Sequence, residues 1–198
     1  IENGDGTTIA SCYDGKALWA DNHSVGDSGT IDNKISVDIS ALPVSVNGSV
    51  TDPSVAEFVH AALAGVSQIQ SFKDDQGEPI NEFANSFTVM VPTGLSKVAR
   101  LALTQTLINN ETNPLMSDSL TYNVVTNPRL TWTDQFAVFR NDGSFKSFIC
   151  QTEVAPMFKS LGEGSDHEYN NNAHLYSVEK SGNVGYGRFD QTCLVTLT

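Results

Sequence analysis

Val55, Phe58, Val59, Leu63, Val66 and Ile69 recur at spacings of three and four behind Thr51-Asp52-Pro53, and this pattern limits the chain more than any other feature. Such spacing lays an apolar stripe along one face of a helix over about 53–72. Asp52 is the candidate N-cap, with Pro53 at the first helical position. A helix with one apolar face requires a second layer to cover it. Phe58, Val59, Leu63 and Val66 are expected in the core and Gln68 on the exposed side.

The covering layer can be read from the rest of the chain. Lys73-Asp74-Asp75-Gln76-Gly77-Glu78-Pro79 ends the helix. Phe87 to Val91, bounded by Pro92, reads as a buried strand. A second helix follows from Leu95, its pattern fading near Asn109-Asn110. From Tyr122 onward strands dominate: Tyr122 to Val125, Phe136 to Phe139, Phe145 to Thr152, Leu175 to Val178, and Gly185 to Leu197. Residues 1–50 read as loops and short strands, with alternation at Ile35, Val37 and Ile39. Helices in the middle and strands at the end give an α+β class.

Charge and composition narrow the function. Twenty-three Asp and Glu against 11 Lys and Arg leave a net charge of −12. The scattered basic residues form no stripe that could neutralise phosphates, which argues against sequence-specific nucleic-acid binding. Cys12, Cys150 and Cys193 lie far apart with no CxxC pair, so neither a disulfide framework nor a zinc site is indicated. No run approaches the roughly 18 apolar residues of a membrane helix. Three Asn-x-Ser/Thr triplets, at Asn22, Asn47 and Asn110, carry meaning only in a secretory context.

Several clusters resemble chemistry, and each has a plainer reading. Gly26-Asp27-Ser28-Gly29 has the look of a serine-protease nucleophile loop, but only His23 precedes it and the chain order of a triad fails. Asp74 to Glu78 lacks the alternate donors of an EF-hand, and Glu163 to Glu168 reads as an exposed loop. Gly182, Gly185 and Gly187 are followed by a β-type run instead of a helix, so they do not build a phosphate cradle. In a strand they mark close backbone approach, with Tyr186 and Arg188 on the opposite face. Gly182, Gly185, Tyr186, Gly187 and Arg188 are therefore the candidate subunit-contact residues. No catalytic, cofactor-binding or metal-binding residue is assigned, and no cofactor is expected.

The segments Phe136-Ala137-Val138-Phe139, Lys146 to Glu153, Glu163-Gly164-Ser165 and His174 to Gly187 together resemble the carboxyl-terminal part of the Mu-type phage major head subunit. Tyr176-x-Val178, then Gly182-Asn183-x-Gly185-Tyr186-Gly187, is the most specific piece. Tyr13-Asp14-Gly15 with Trp19 and His23 is similar to an upstream stretch of that family, and Phe72 to Gly77 with Val89 to Pro92 is similar to its middle. Arg188-Phe189-Asp190 departs from it, standing where the family commonly has an aromatic pair around a tryptophan.

The resemblance implies a Hong Kong 97-type capsid fold that begins after the spine helix, lacking the amino-terminal arm and hairpin. Residues 1–84 would form part of the peripheral domain, 85–155 the axial domain, and 156–198 strands returning to the periphery. It also implies a non-enzymatic major capsid protein that self-assembles through hexamers and pentamers into an icosahedral shell. The shell would enclose double-stranded DNA without sequence-specific binding and without a membrane. The implied location is the virion, after synthesis in the bacterial host cytoplasm, with portal, scaffold and decoration proteins as further partners. A surface-exposed β-rich adhesion module is the alternative that composition leaves open.

Overall fold

The computed structural model of the chain describes residues 1, 4–6, 11–24, 26, 29–41, 47–117 and 119–198, with the backbone alone at Ser117. Contacts divide it into a main unit, Ile1–Ser147 with Tyr186–Thr198, and a smaller unit, Phe148–Gly185.

In the main unit, two short strands, β1 (His23–Ser24) and β2 (Thr30–Ile31), pair antiparallel and precede β3 (Lys34–Val37). The expected helix is α1 (Val55–Ser71). It starts later than the Asp52-Pro53 signal suggests, because Ser54 is the cap. The Ser54 side chain accepts from the Glu57 N–H at 3.3 Å, and Glu57 Oε2 accepts from the Ser54 N–H at 2.6 Å. This reciprocal box satisfies two otherwise unpaired donors at the helix start.

The helix packs on a five-stranded mixed sheet. Its members are β3, β4 (Ser86–Val91), β7 (Thr121–Thr126), β8 (Gln135–Arg140) and β11 (Thr192–Leu197), in the order β3-β11-β8-β4-β7. Strands β11 and β4 run antiparallel to β8, while β3 is parallel to β11 and β7 is parallel to β4. Phe136, Ala137, Val138 and Phe139 of β8 are all buried, so both faces of this central strand are covered. On one face Phe58 of α1 meets Phe136 at 4.9 Å between ring centroids, and on the other Trp19 lies 6.3 Å from Phe139. Gly65 is the point of closest approach, since a Cβ there would stand 2.8 Å from Val195 Cγ2 and 3.0 Å from Val138 Cγ2. A glycine inside a helix is unfavourable by about 1 kcal/mol against alanine, and close packing on the sheet is the reason for it here.

Phe58, Val59 and Val66 are buried as the helical pattern requires, whereas Leu63 is only half-buried. It lies at the margin of the stripe. Gln68 is not a free surface position either, because its Nε2 donates to the Asp32 carbonyl at 2.7 Å.

The second helix, α2 (Ser96–Ala102), is shorter than the expected run beyond Leu95. Asn113 accounts for its end: the side-chain amide donates to the carbonyls of Ala102 at 2.6 Å and Gln105 at 2.7 Å. Asn109 and Asn110, at φ 52° and 66°, then turn β5 (Leu107–Ile108) back on β6 (Glu111–Thr112). Two successive left-handed residues suit a two-residue hairpin turn. A short helix, α3 (Pro114–Ser117), leads to β7.

Glu57 is fully buried, and its Oε1 also accepts from the N–H groups of Gly48 at 2.7 Å and Asn47 at 3.2 Å. Burial opposes its charge, but donation from Gly48, Ser54 and Asn47 outweighs this and holds the carboxyl down at about 2, against a usual 4.5. A carboxyl depressed in the folded state stabilises fully above its unfolded pKa and loses that contribution as pH falls through the folded one. Thermal melts are expected to show stability declining from about pH 4.5 toward pH 2. Glu57→Gln should lower stability near neutrality and flatten that part of the profile. An unchanged acid profile in the variant would contradict this role.

The smaller unit is a two-stranded ribbon of β9 (Phe148–Leu161) and β10 (Leu175–Tyr186), with α4 (Asp166–Asn171) between them. Strand β9 starts later and runs longer than the expected Phe145 to Thr152, and the loop expected around Glu163 to Glu168 contains α4, capped by Ser165. The continuous strand expected from Gly185 to Leu197 is broken. β10 ends at Tyr186, and a 3₁₀ turn at Phe189–Gln191 precedes β11. The break follows from Phe189, which is buried and stacks on the His23 ring at 3.8 Å.

Candidate assembly surface

The five glycine-segment residues occupy different settings. In the ribbon, a Cβ on Gly182 would lie 2.8 Å from the Gln151 carbonyl oxygen, so a side chain there would collide with the paired strand. A Cβ on Gly185 would meet nothing within 4 Å. In the main unit, the Gly187 N–H donates to the Ser147 carbonyl at 2.8 Å and the Arg188 N–H to that of Lys146 at 3.0 Å. Because β10 ends at Tyr186, strand alternation does not carry from Gly185 to Gly187. Arg188 Nε donates to both Asp190 carboxylate oxygens, at 3.0 and 2.8 Å, and its guanidinium lies over Phe145 at 5.3 Å. That pairing outweighs desolvation and raises the pKa of Arg188 further. Burial, with Cys12 and Asp5 adding to it, raises that of Tyr186.

The groups with a catalytic look serve structural roles where they are described. Asp27 and Ser28 of the Gly26 to Gly29 loop lie outside the described residues. His23 is fully buried, with Nδ1 2.7 Å from Asp14 Oδ2 and Nε2 3.1 Å from the Leu18 carbonyl. Burial works against the Asp14 carboxylate, but bonds from His23 and the Lys16 N–H lower its pKa. The Tyr13-Asp14 and His23 stretch is therefore a brace holding residues 12–24 against Phe189. Asp74 Oδ1 accepts from the N–H groups of Gln76 and Glu78, both at 2.9 Å, which makes that acidic loop a turn closed on itself. Among the described residues no three His, Cys, Asp or Glu side chains gather as metal ligands, and no helix is long and apolar enough to cross a membrane. Cys12 and Cys193 are buried, with their thiol pKa values raised by desolvation, and Cys150 is exposed.

Asn33 and Asn81, which no sequence pattern singled out, tie the main unit together. Asn33 Nδ2 donates to the carbonyls of Leu18 at 2.8 Å and Phe189 at 2.9 Å. Asn81 Nδ2 donates to those of Ile69 and Asp190, both at 2.8 Å. The Asn81 oxygen accepts from Arg140 Nη1 at 2.8 Å and Gln191 Nε2 at 2.9 Å.

The ribbon carries the most distinctive surface. Alternation puts Val154 and Phe158 of β9 on one face with Tyr176, Val178 and Val184 of β10, and Lys180 is the only charge in that set. Glu153, Lys159, Glu179 and Ser181 fall on the other, interspersed with the exposed Ile149, Met157, Leu161 and Leu175, so the two faces differ chiefly in charge: three of the four charged residues of the two strands lie on this second face. Cross-strand contacts agree with this division. Phe158 stacks on Tyr176 at 5.8 Å, whereas the Ser181 hydroxyl donates to Glu153 at 2.8 Å and Lys159 pairs with Glu179. As β9 advances from Glu153 to Phe158, its partners recede from Ser181 to Tyr176, so the strands run antiparallel. The apolar face is open: Phe158 is 64% exposed, Tyr176 59%, Val178 72% and Val184 64%. A bare two-stranded ribbon is marginal in water and gains stability when its apolar face is covered.

No protein-family model and no curated protein matches the sequence. Solved structures are similar to it, among them three of phage capsids. One is the capsid structure of the cyanophage P-SCSP1u, with TM-score 0.49 and 10% identity, over 85% of this chain and 54% of that one. Another is the mature capsid of bacteriophage PhiM1, with TM-score 0.48 and 12% identity, over 87% of this chain and 53% of that one. The third is the procapsid of satellite phage P4 with its size-determination protein, with TM-score 0.34 and 14% identity, over 70% of this chain and 39% of that one. The chain thus spans about half the length, or less, of the capsid structures it resembles.

Proposed function

We propose that the chain is part of a tailed-phage major head protein of the Hong Kong 97 type, and that it builds an icosahedral shell by self-association. The observation that carries this reading is the ribbon Phe148–Gly185, whose face of Phe158, Tyr176, Val178 and Val184 is exposed, with Val154 half-buried beside them, and almost uncharged. Burying exposed aromatics and valines stabilises by about 25 cal/mol per Å², and a repeated self-contact supplies that burial at every subunit. The resemblance of His174 to Gly187 and its companion segments to the Mu-type head subunit points the same way.

On this reading residues 1–84 correspond to part of the peripheral domain, 85–155 to the axial domain and 156–198 to the returning strands. The protein's role is structural and not enzymatic. Its partners are other copies in hexamers and pentamers, and its place is the virion. The net charge of −12 suits a wall that encloses DNA without adhering to it. Gly185, with open space beside it, is a position where a neighbouring backbone can pass. Proteomics of the purified phage particle, with negative-stain microscopy, tests the reading. Peptides of this chain should dominate the shell, and their absence from purified heads would overturn it.

A further inference from the structure

We propose that β7 is a second self-contact, at which another copy adds its own β7 antiparallel to extend the five-stranded sheet. The sheet ends at β7 on one side and at β3 on the other. Natural sheets blunt such edges with charge, proline or a bulge. The β3 edge is treated this way, with Lys34 in the strand and Asp32 and Asp38 flanking it. The β7 edge is not: Thr121-Tyr122-Asn123-Val124-Val125-Thr126 has neither charge nor proline.

The backbone presents the necessary groups. The N–H of Thr121 donates to the Asn85 carbonyl at 2.8 Å and that of Asn127 to Val91 at 2.9 Å, so odd-numbered residues face β4. Amides alternate along a strand, and those of Val124 and Thr126 therefore face outward, where no further strand pairs among the described residues.

Charge and register select a second copy as the occupant. A chain of net charge −12 repels itself except where acids are missing, and Ser119 to Thr133 contains no acidic residue and one arginine, Arg129. A two-fold axis at Val124 sets Val124 opposite its equivalent, Asn123 opposite Val125, and Tyr122 opposite Thr126. These are uncharged pairings of β-branched, aromatic and amide side chains, and they suit cross-strand packing. Val124, whose amide faces outward, falls at a position where two strands exchange both hydrogen bonds. Asn123 and Val125 then form the closer, non-hydrogen-bonded pair on an exposed face.

The contact goes beyond the shell reading and does not rest on the ribbon. It is tested with Phe158→Glu and Tyr176→Glu present to silence the ribbon and Cys150→Ser to remove the exposed thiol. Asn123→Cys and Val125→Cys chains are purified separately, then mixed and oxidised. A disulfide dimer that forms on mixing and is missing from either variant alone is the expected result. No dimer, or equal dimer in the unmixed samples, would overturn the pairing. In the same ribbon-silenced chain, Val125→Lys should move the sedimenting mass to monomer, and an unchanged mass would also overturn it.

Discussion

Phe158→Glu combined with Tyr176→Glu is expected to abolish shell assembly, leaving nothing larger than the β7-paired dimer, with the main unit still folded. Both side chains are more than half exposed and stack on each other on the open face of the ribbon, so the isolated chain loses little when they change. The assembled state loses much more. Burial of an aromatic side chain stabilises by about 1.5–3 kcal/mol, and a charge in its place must also be desolvated. A loss of about 4 kcal/mol or more per contact weakens association at least ~10³-fold. Sedimentation should show only small species, with near-ultraviolet dichroism and melting unchanged for the main unit. Normal assembly would mean that this face is not the contact.

Asn81→Leu should produce the largest loss of folding stability. The side chain is fully buried and joins the end of α1, through Ile69, to the Asp190 backbone, Arg140 and Gln191. Leucine cannot replace any of these bonds, and it leaves two carbonyls, a guanidinium N–H and an amide N–H without that partner. Buried groups left unsatisfied cost about 1–3 kcal/mol each, not fully additively, so a loss of about 3–5 kcal/mol is expected. Against a total of about 5–15 kcal/mol, this brings the main unit close to unfolding at ambient temperature. Urea titration measures it, and a change below about 1 kcal/mol would contradict the bridging role.

The helix and central strands were legible because their signals are local and periodic. The stripe of Phe58, Val59, Val66 and Ile69 matches α1, and the apolar runs at Phe87 to Val91 and Phe136 to Phe139 match β4 and β8. The ends of elements were less legible, because caps are decided by one or two hydrogen bonds. Ser54 displaces Asp52 through its reciprocal bond with Glu57, and Asn113, well beyond the helix, fixes the end of α2. Buried asparagines such as Asn33 and Asn81 have no sequence signature, since their partners are separated by as many as 156 residues.

The ribbon was hidden for a different reason. Its two strands are long and mix apolar and polar residues, so only the start of each stood out, β9 within Phe145 to Thr152 and β10 within Leu175 to Val178. In β10, Tyr176, Val178 and Val184 alternate with Ser177, Glu179, Ser181 and Asn183, a period of two that marks one face, whereas Val154 to Phe158 of β9 is apolar throughout and shows no such period. The turn at Phe189 escaped because its residue types fit a strand equally well. Stacking on His23, more than 160 positions upstream, draws Phe189 inward.

The central claim is that copies of this protein close into a shell through the open face of the ribbon. Electron microscopy of heads made with native protein and with the Phe158→Glu, Tyr176→Glu variant tests it most directly. The account predicts regular closed shells containing the native chain and none from the variant, whose main unit stays folded. Regular shells from the variant, with the ribbon face still open to solvent in them, would contradict it.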